Sequence, residues 1–284
     1  MDAVPLDFIE RTVRFSNPTD NLKEILGSWS TVASNLIFFN GRLAFGLDPT
    51  TEKICATCQL NVFGYFMHLK SHEKVCFDLF KKYLKTESFS KFHVKVGVAT
   101  PLPDKCPTEI SPTVGSMLQN LCFVKNVYLT LENVDLCDLT WLAPFYAPFE
   151  HIKILQNSEE AFEKFLEKAS TRNFRKKRLE FSESTRENVN FYWEILNREE
   201  VVFINLSKGA LAAPFLKKFG ACDNELPLGK TVQFAKEGNE SVYGYCAQFE
   251  GFYGKIHPSR KAAMKFKEVD EERFEFRVEA LEEL

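Results

Sequence analysis

Several segments in the middle of the chain alternate apolar and polar residues with the two-residue period of a β-strand. These segments begin near His93, Asn126, His151, Arg178 and Val201. Because successive side chains of a strand point to opposite faces, the apolar set predicts one face packed on helices. A parallel sheet covered on both faces would instead be apolar throughout. The sequence therefore predicts a one-sided sheet whose second face is open to solvent or to a partner.

Helical periodicity separates these strands. Phe162, Phe165 and Leu166 stand at positions i, i+3 and i+4, and a similar apolar stripe runs from Val189 to Leu196. Alternation of strand and helix favours a parallel sheet of successive βα units. The strand starts are 33, 25, 27 and 23 residues apart, near the period of leucine-rich repeats, whose consensus is absent. We therefore predict an α/β fold built on an irregular, leucine-rich-repeat-like βα-repeat array.

Three parts of the chain are predicted from these patterns. Residues 1–40 form an N-terminal helical segment, and residues 41–220 form a β-hairpin around Asp48 followed by the βα-repeat array. Residues 221–284 form a C-terminal antiparallel β meander packed on the array. Its predicted strands are Thr231–Ala235, Ser241–Ala247, Ala263–Lys267 and Phe274–Val278, with a hairpin turn at Glu237–Asn239.

Composition narrows the class of protein. Hydrophobic residues make up 45% and charged residues 26% of the 284 residues, which is typical of a globular chain. The net charge of −3 gives no general field for a nucleic-acid backbone. Neither a secretion signal nor an apolar run of about 18 residues is present, so no membrane span is expected. The eight scattered cysteines are then expected as reduced thiols of a cytoplasmic or nuclear protein.

One pattern has the ligand types of a zinc finger. Cys55 and Cys58 are followed by His68 and His72. The gap between the pairs is shorter than in the usual finger, and Cys55 and Cys58 would point to opposite faces of a plain strand. We regard these four residues as a weak zinc candidate and predict no metal or other cofactor.

Other short motifs favour structural roles. Leu228–Thr231 ends like a phosphate-binding loop but precedes a strand instead of a helix. Asp135 and Asp138 are predicted to lie at a helix start, where they would complement the helix dipole. A basic run from Arg172 to Arg178 is expected on a solvated helix end and strand start; RNA binding is the alternative. We predict no catalytic residues, although an enzyme stays open because catalytic groups can converge from distant positions.

The N-terminal residues carry a resemblance to a known family. Met1-Asp2-Ala3-Val4-Pro5 and the helix-like residues that follow resemble the start of divergent nematode F-box-like proteins, and Trp29 stands roughly where F-box proteins place a Trp. The chain departs from the F-box pattern at Ser16–Pro18 and at Gly27–Ser30. The resemblance implies apolar contacts with a Skp-type adaptor of an SCF-type ubiquitin ligase through Val4, Pro5, Leu6, Phe8, Ile9, Leu26 and Trp29.

Two functions follow for the polar sheet face. The first is protein binding by a substrate-recruiting ubiquitin ligase adaptor. The second is a ligase-independent binding protein that sequesters or neutralises a partner. Arg, Tyr and Phe are favoured at the centres of protein interfaces. The candidate partner-binding residues on this face are His93, Lys95, Tyr128, Lys153, Arg178 and Phe203.

Overall fold

The computed structural model of the protein shows a mixed α/β fold. It describes residues 38–62, 65–70, 88–99, 108–124, 126–156, 158–169, 175–182, 189–207, 210–222, 226–249, 252–259 and 261–281. Over these ranges one mixed sheet of thirteen strands is accompanied by few helices. Residues 1–37 of the predicted N-terminal helical segment lie outside the described ranges. Its last three residues, 38–40, belong to the first strand.

The elements are numbered in chain order within the described ranges. The strands are β1 (Phe38–Leu47), β2 (Ile54–Val62), β3 (Tyr65–Lys70), β4 (Ser88–Val98), β5 (Val127–Glu132), β6 (His151–Ile154), β7 (Lys177–Phe181), β8 (Val201–Leu206), β9 (Thr231–Ala235), β10 (Ala247–Phe249), β11 (Phe252–Ile256), β12 (Ala262–Glu268) and β13 (Arg273–Ala280). The α-helices are α1 (Pro112–Asn120), α2 (Glu159–Lys168), α3 (Val189–Asn197) and α4 (Ala212–Ala221). Short 3₁₀ helices cover Leu121–Phe123, Thr140–Phe145 and Glu240–Tyr245.

The centre of the sheet is parallel and follows the order of the chain. Strands β1, β4, β5, β6, β7, β8 and β9 lie side by side and are mutually parallel. Strands β1 and β2 form the antiparallel hairpin expected around Asp48, and β3 adds a further antiparallel strand beside β2. On the other side β13, β12, β11 and β10 continue the sheet as antiparallel neighbours.

The strand register aligns apolar side chains in two buried rows. The first row, from β1 to β9, is Leu43, Val94, Leu129, Ile152, Leu179, Ile204 and Val232. The second row is Phe45, Val96, Leu131, Ile154, Phe181, Leu206 and Phe234. Each fully buried side chain of this size stabilises the fold by roughly 1.5–3 kcal/mol relative to exposure. The period-two apolar pattern thus forms one continuous core wall.

Aromatic side chains of the helices pack against the second buried row. Phe162 of α2 and Tyr192 of α3 meet Phe181 with ring centroids 6.0 and 5.0 Å apart. Phe215 of α4 meets Phe234 at 5.4 Å. Edge-to-face pairs of this kind add to the burial of the rings. The helices therefore cover the apolar face of the sheet, as the one-sided pattern predicted.

The C-terminal part contains two strands that were not predicted, β10 and β11, and differs from the prediction in two further places. Thr231–Ala235 is a strand, but it pairs in parallel with β8 and in antiparallel only with β13, so it also belongs to the parallel array. The predicted strand at Ser241–Ala247 is wrong, because Glu240–Tyr245 is a 3₁₀ helix. Asn239 explains the change: its side chain accepts from the Ala212 amide and donates to the Ala235 carbonyl, at 2.9 Å each. These bonds hold the chain against α4 in place of the predicted hairpin turn.

The basic run at the start of β7 is solvated only in part: Lys176 and Arg178 are exposed, as predicted, whereas Arg172 lies outside the described residues. Lys177 is fully buried, and its ammonium donates to the carbonyl oxygens of Tyr146, Ala147 and Phe149. The Arg175 guanidinium donates to the Val124 and Cys122 carbonyls and pairs with Glu150. Both cations therefore join the start of β7 to the segments that precede β5 and β6.

None of the helices described is both long enough and apolar enough to cross a membrane.

Candidate functional site

The face of the sheet opposite the helices carries polar and aromatic side chains in two further rows. The first, from β1 to β8, is Arg42, His93, Tyr128, His151, Arg178 and Phe203. The second, from β4 to β8, is Lys95, Thr130, Lys153, Glu180 and Asn205. Most of these side chains are half-buried or exposed. The same register that builds the core thus builds an ordered polar surface, called the open face below.

A shallow groove of about 230 Å³ runs across the open face from β4 to β8. Five of the six predicted partner-binding residues line it, namely His93, Tyr128, Lys153, Arg178 and Phe203. The sixth, Lys95, pairs with Glu132 beside a neighbouring depression of about 520 Å³. The structure therefore brings five of the six candidates to one groove.

The aromatic rings of the groove cover one another. Tyr128 and His151 stack with centroids 4.6 Å apart and planes 12° apart, and His93 meets Tyr128 edge-on at 5.8 Å. The Lys91 ammonium lies 4.3 Å from the Tyr128 ring centroid. The Arg178 guanidinium lies 4.4 Å from the centroid of Phe203. The rings therefore form a packed strip in which cations and neighbouring rings contact the aromatic faces.

Charge on the open face is predominantly positive between β1 and β8. Glu180 pairs with Lys153 at 2.7 Å, and Glu132 pairs with Lys95. Burial, followed by nearby cations that include Lys91 and Arg178, lowers the pKa values of His93 and His151 below the ordinary value of 6.5. Both imidazoles are consequently neutral near pH 7 and each carries one N–H donor.

Asn205 contributes an unsatisfied acceptor to the groove. Its Oδ1 atom is buried and has no hydrogen-bond partner among the described residues. A buried polar atom without a partner costs roughly 1–3 kcal/mol. A donor supplied by a bound molecule would remove that cost.

Sequence reasoning missed five polar groove or rim residues: Lys91, Thr130, His151, Glu180 and Asn205. Each stands at an outward position of a strand that the apolar alternation had already predicted. The two-residue period was therefore enough to predict which face of the sheet these side chains occupy. Their proximity depended on strand order and register, which the period does not determine.

A further depression, of about 510 Å³, lies at the β1–β2 turn. The Asp48 carboxylate accepts from the Thr50 hydroxyl and amide, and these hydrogen bonds lower its pKa to about 2. Trp141 packs on Phe45 with centroids 4.9 Å apart, and its Nε1 atom is buried without a partner in the described chain. The Asp48 carboxylate is occupied by its own turn, so the depression offers less recognition chemistry than the groove.

The weak zinc candidate is only partly within the described residues. Cys55 and Cys58 lie on β2 and His68 on the paired strand β3, whereas His72 is outside the described ranges. The described side chains contain no cluster of three or more His, Cys, Asp and Glu residues able to hold a metal ion.

The other motifs have structural positions. Leu228–Lys230 forms a turn before β9, which begins at Thr231. Gly229 has φ +74°, and Lys230 donates to carbonyls at the end of α3. Asp138 accepts from the Thr140 amide at the start of a 3₁₀ helix. Asp135 instead accepts from backbone amides in the first turn of a different helix, α2.

The predicted adaptor-binding residues Val4, Pro5, Leu6, Phe8, Ile9, Leu26 and Trp29 lie outside the described residues. Comparison of the chain with protein-family models, with curated proteins and with solved structures finds no match.

Proposed function

We propose that this chain is a non-enzymatic interaction protein that binds a partner protein on the open face of its sheet. The observation that carries the proposal is the groove formed by His93, Tyr128, His151, Arg178 and Phe203 on adjacent parallel strands. Aromatic and Arg side chains are enriched among the residues that carry most of the binding energy at protein interfaces. The groove is shallow and smaller than a usual small-molecule site, which favours a macromolecular partner.

The parallel array serves this function as an irregular, leucine-rich-repeat-like βα solenoid. The sequential order of β4 to β9 supports this interpretation, because stacked repeats place equivalent strand positions side by side. Such arrays present an extended surface to a partner while the helices keep the opposite face covered.

The function at the level of the cell is that of a substrate-recruiting adaptor of an SCF-type ubiquitin ligase in the cytoplasm or nucleus. The N-terminal resemblance to nematode F-box-like proteins supports this part of the proposal. In this scheme residues 1–40 bind a Skp-type adaptor, and the open face binds the recruited target.

A ligase-independent binding protein that sequesters its partner is the second candidate. The open face supports this candidate as well as it supports the adaptor, because binding at the groove requires no ligase subunit. The two candidates differ in whether a Skp-type adaptor is present in the complex and in whether the partner is degraded.

Affinity capture of the tagged full chain from nematode cells, followed by mass spectrometry, tests both candidates. Two variants accompany the wild type: Phe8→Asp with Ile9→Asp, and Tyr128→Ala with Arg178→Glu. For an adaptor, the first variant loses the Skp-type subunit and keeps the target, while the second loses only the target. Stoichiometric recovery of one partner without a Skp-type subunit selects the sequestering function. Recovery of every specific partner by the folded open-face variant contradicts binding at the groove.

A further inference from the structure

The open face shows which chemistry its partner presents. Between β1 and β8 the charged groups are five cations and two carboxylates: Arg42, Lys91, Lys95, Lys153, Arg178, Glu132 and Glu180. Glu132 and Glu180 are paired with Lys95 and Lys153. No carboxylate of the described chain lies within ion-pair distance of the other three cations. This surplus favours an anionic partner.

The aromatic residues of the groove also favour an anionic partner. Tyr128 and His151 stack on each other, which covers one face of each ring, and the Lys91 ammonium lies over the Tyr128 ring. Ring edges are electropositive, and the Tyr hydroxyl and His N–H groups are hydrogen-bond donors. The rings therefore attract acceptors such as carboxylates. Nucleobases, in contrast, bind by stacking on free aromatic faces, and Arg178 also covers a face of Phe203.

One acceptor in the groove requires a hydrogen-bond donor from the partner. Buried Oδ1 of Asn205 has no donor within the described part of the chain. A polypeptide supplies a backbone N–H group at every residue except proline, whereas a phosphodiester backbone has no donor. A ligand with both carboxylates and N–H groups satisfies the cations and Asn205 together.

The dimensions of the groove fit an extended segment. It crosses the five strands from β4 to β8. At about 4.8 Å between neighbouring strands this is roughly 20 Å, the length of about six extended residues at about 3.3 Å each. The modest depth of the groove also suits a segment that lies on the surface.

We propose that the groove binds an extended acidic segment of the partner polypeptide, whose carboxylates meet Lys91 and Arg178 and whose backbone donates to Asn205. This assignment rests on the proposed function and specifies the partner's chemistry. It distinguishes an acidic polypeptide from a nucleic acid, which shares the negative charge but has no N–H donor in its backbone.

Fluorescence anisotropy with the purified full chain tests the proposal. The probe is a fluorescein-labelled, amidated peptide of alternating Glu and Ala, compared with the Gln–Ala peptide and with labelled single-stranded oligothymidylate. We expect the Glu peptide to bind at low salt, and the Gln peptide to bind at least about tenfold more weakly because it lacks the charge, a difference of about 1.4 kcal/mol. Tighter binding of oligothymidylate than of the Glu peptide overturns the assignment to a polypeptide.

Two variants locate the binding. Arg178→Glu and Lys91→Glu each reverse an exposed charge at the groove, and each is expected to weaken binding of the Glu peptide at least about tenfold. Lys168→Glu makes the same change of charge on exposed α2 and is expected to stay within about twofold of wild type. Circular dichroism establishes that all three proteins are folded. Equal weakening by all three variants, or by none, shows that the peptide does not bind at this groove.

Failure of this proposal is separable from failure of the proposed function. If Arg178→Glu removes a captured partner but does not affect binding of the Glu peptide, the open face binds proteins and the acidic assignment is wrong. If neither the partner nor the peptide responds to Arg178→Glu, both proposals are wrong.

Discussion

Lys177 is a buried cation in a cage of carbonyl oxygens. Its Nζ atom lies 3.2 Å from the Tyr146 oxygen and 2.8 Å from that of Ala147, and it also bonds the Phe149 oxygen. Three acceptors match the three donors of an ammonium group. Desolvation opposes the charge and lowers the pKa of Lys177 to about 7, while the Glu200 carboxylate raises it. The protonation of Lys177 is therefore coupled to the stability of the folded protein.

We predict that Lys177 makes the protein more stable as the pH rises from about 7 toward about 10, its range between the folded and unfolded pKa values. In this range the unfolded chain holds the proton more tightly, so unfolding takes up a proton and becomes less favourable at higher pH. The contribution is up to about 1 kcal/mol per pH unit. Urea unfolding at about pH 7.5 and at about pH 9 measures this change in the free energy of unfolding.

Lys177→Met should lose this pH dependence, while its unpaired carbonyls lower the free energy of unfolding by roughly 1–3 kcal/mol. Lys176→Met, at the exposed neighbouring position, is the matched control and should keep the wild-type dependence. An unchanged pH slope in Lys177→Met would show that another group is responsible.

At the scale of the element, α2 is capped by a residue from a distant loop. Asp135 Oδ1 accepts from the amides of Glu160 and Ala161 at 2.9 and 3.3 Å. Ser158, at the N-cap position itself, makes no side-chain cap hydrogen bond. The carboxylate thus satisfies two free amides of the first turn and opposes the positive end of the helix dipole. Placement of Asp135 at a helix start was predicted, but the helix is one that begins 24 residues later in the chain.

Asp135→Ala is predicted to lower the free energy of unfolding by about 0.5–2 kcal/mol, because both hydrogen bonds to the first turn of α2 are lost. Asp135→Asn keeps an acceptor oxygen and should lose only about 0.3–1 kcal/mol from the dipole interaction. Chemical denaturation of the three proteins at one pH gives the comparison. Equal losses in the two variants would assign the effect to charge alone, against the capping role.

Strands with a regular alternation of apolar and polar residues were the elements that the sequence predicted. The strands predicted near His151 and Val201 begin at those residues, because period-two alternation depends only on which face is buried. The short strands β10 and β11 and the 3₁₀ helix Glu240–Tyr245 were missed. Their conformation depends on contacts such as the Asn239 hydrogen bonds to α4 and β9, which join residues far apart in the chain.

At the scale of the whole molecule, the parallel array and the meander share one core. Phe234 of β9 is fully buried and contacts Phe215 of α4 on one side and Phe274 and Phe276 of β13 on the other. Strand β9 pairs with both β8 and β13. Hydrogen bonding and aromatic packing therefore continue through the position where the sequence pattern changes.

We predict that the array and the meander unfold in a single transition, which Phe234→Ala shifts to lower stability by about 3–5 kcal/mol. Far-ultraviolet and near-ultraviolet circular dichroism should give coincident denaturation curves for wild type. Phe123→Ala is the control, since Phe123 is 69% exposed and its loss should change stability by no more than about 0.5 kcal/mol. Two separate transitions, of which Phe234→Ala moves only one, would show that the meander is an independent unit.

The sequence by itself determined the strands of the array, their buried faces and the outward positions of Tyr128 and Arg178, because alternation along a strand is a local property. Only the tertiary structure decided that Tyr128 stacks on His151, that Lys177 is buried and that Asp135 caps α2. These contacts join residues from different elements, and strand order and register bring them together. The groove on the open face has the same origin, since its side chains are separate in sequence and adjacent across five parallel strands.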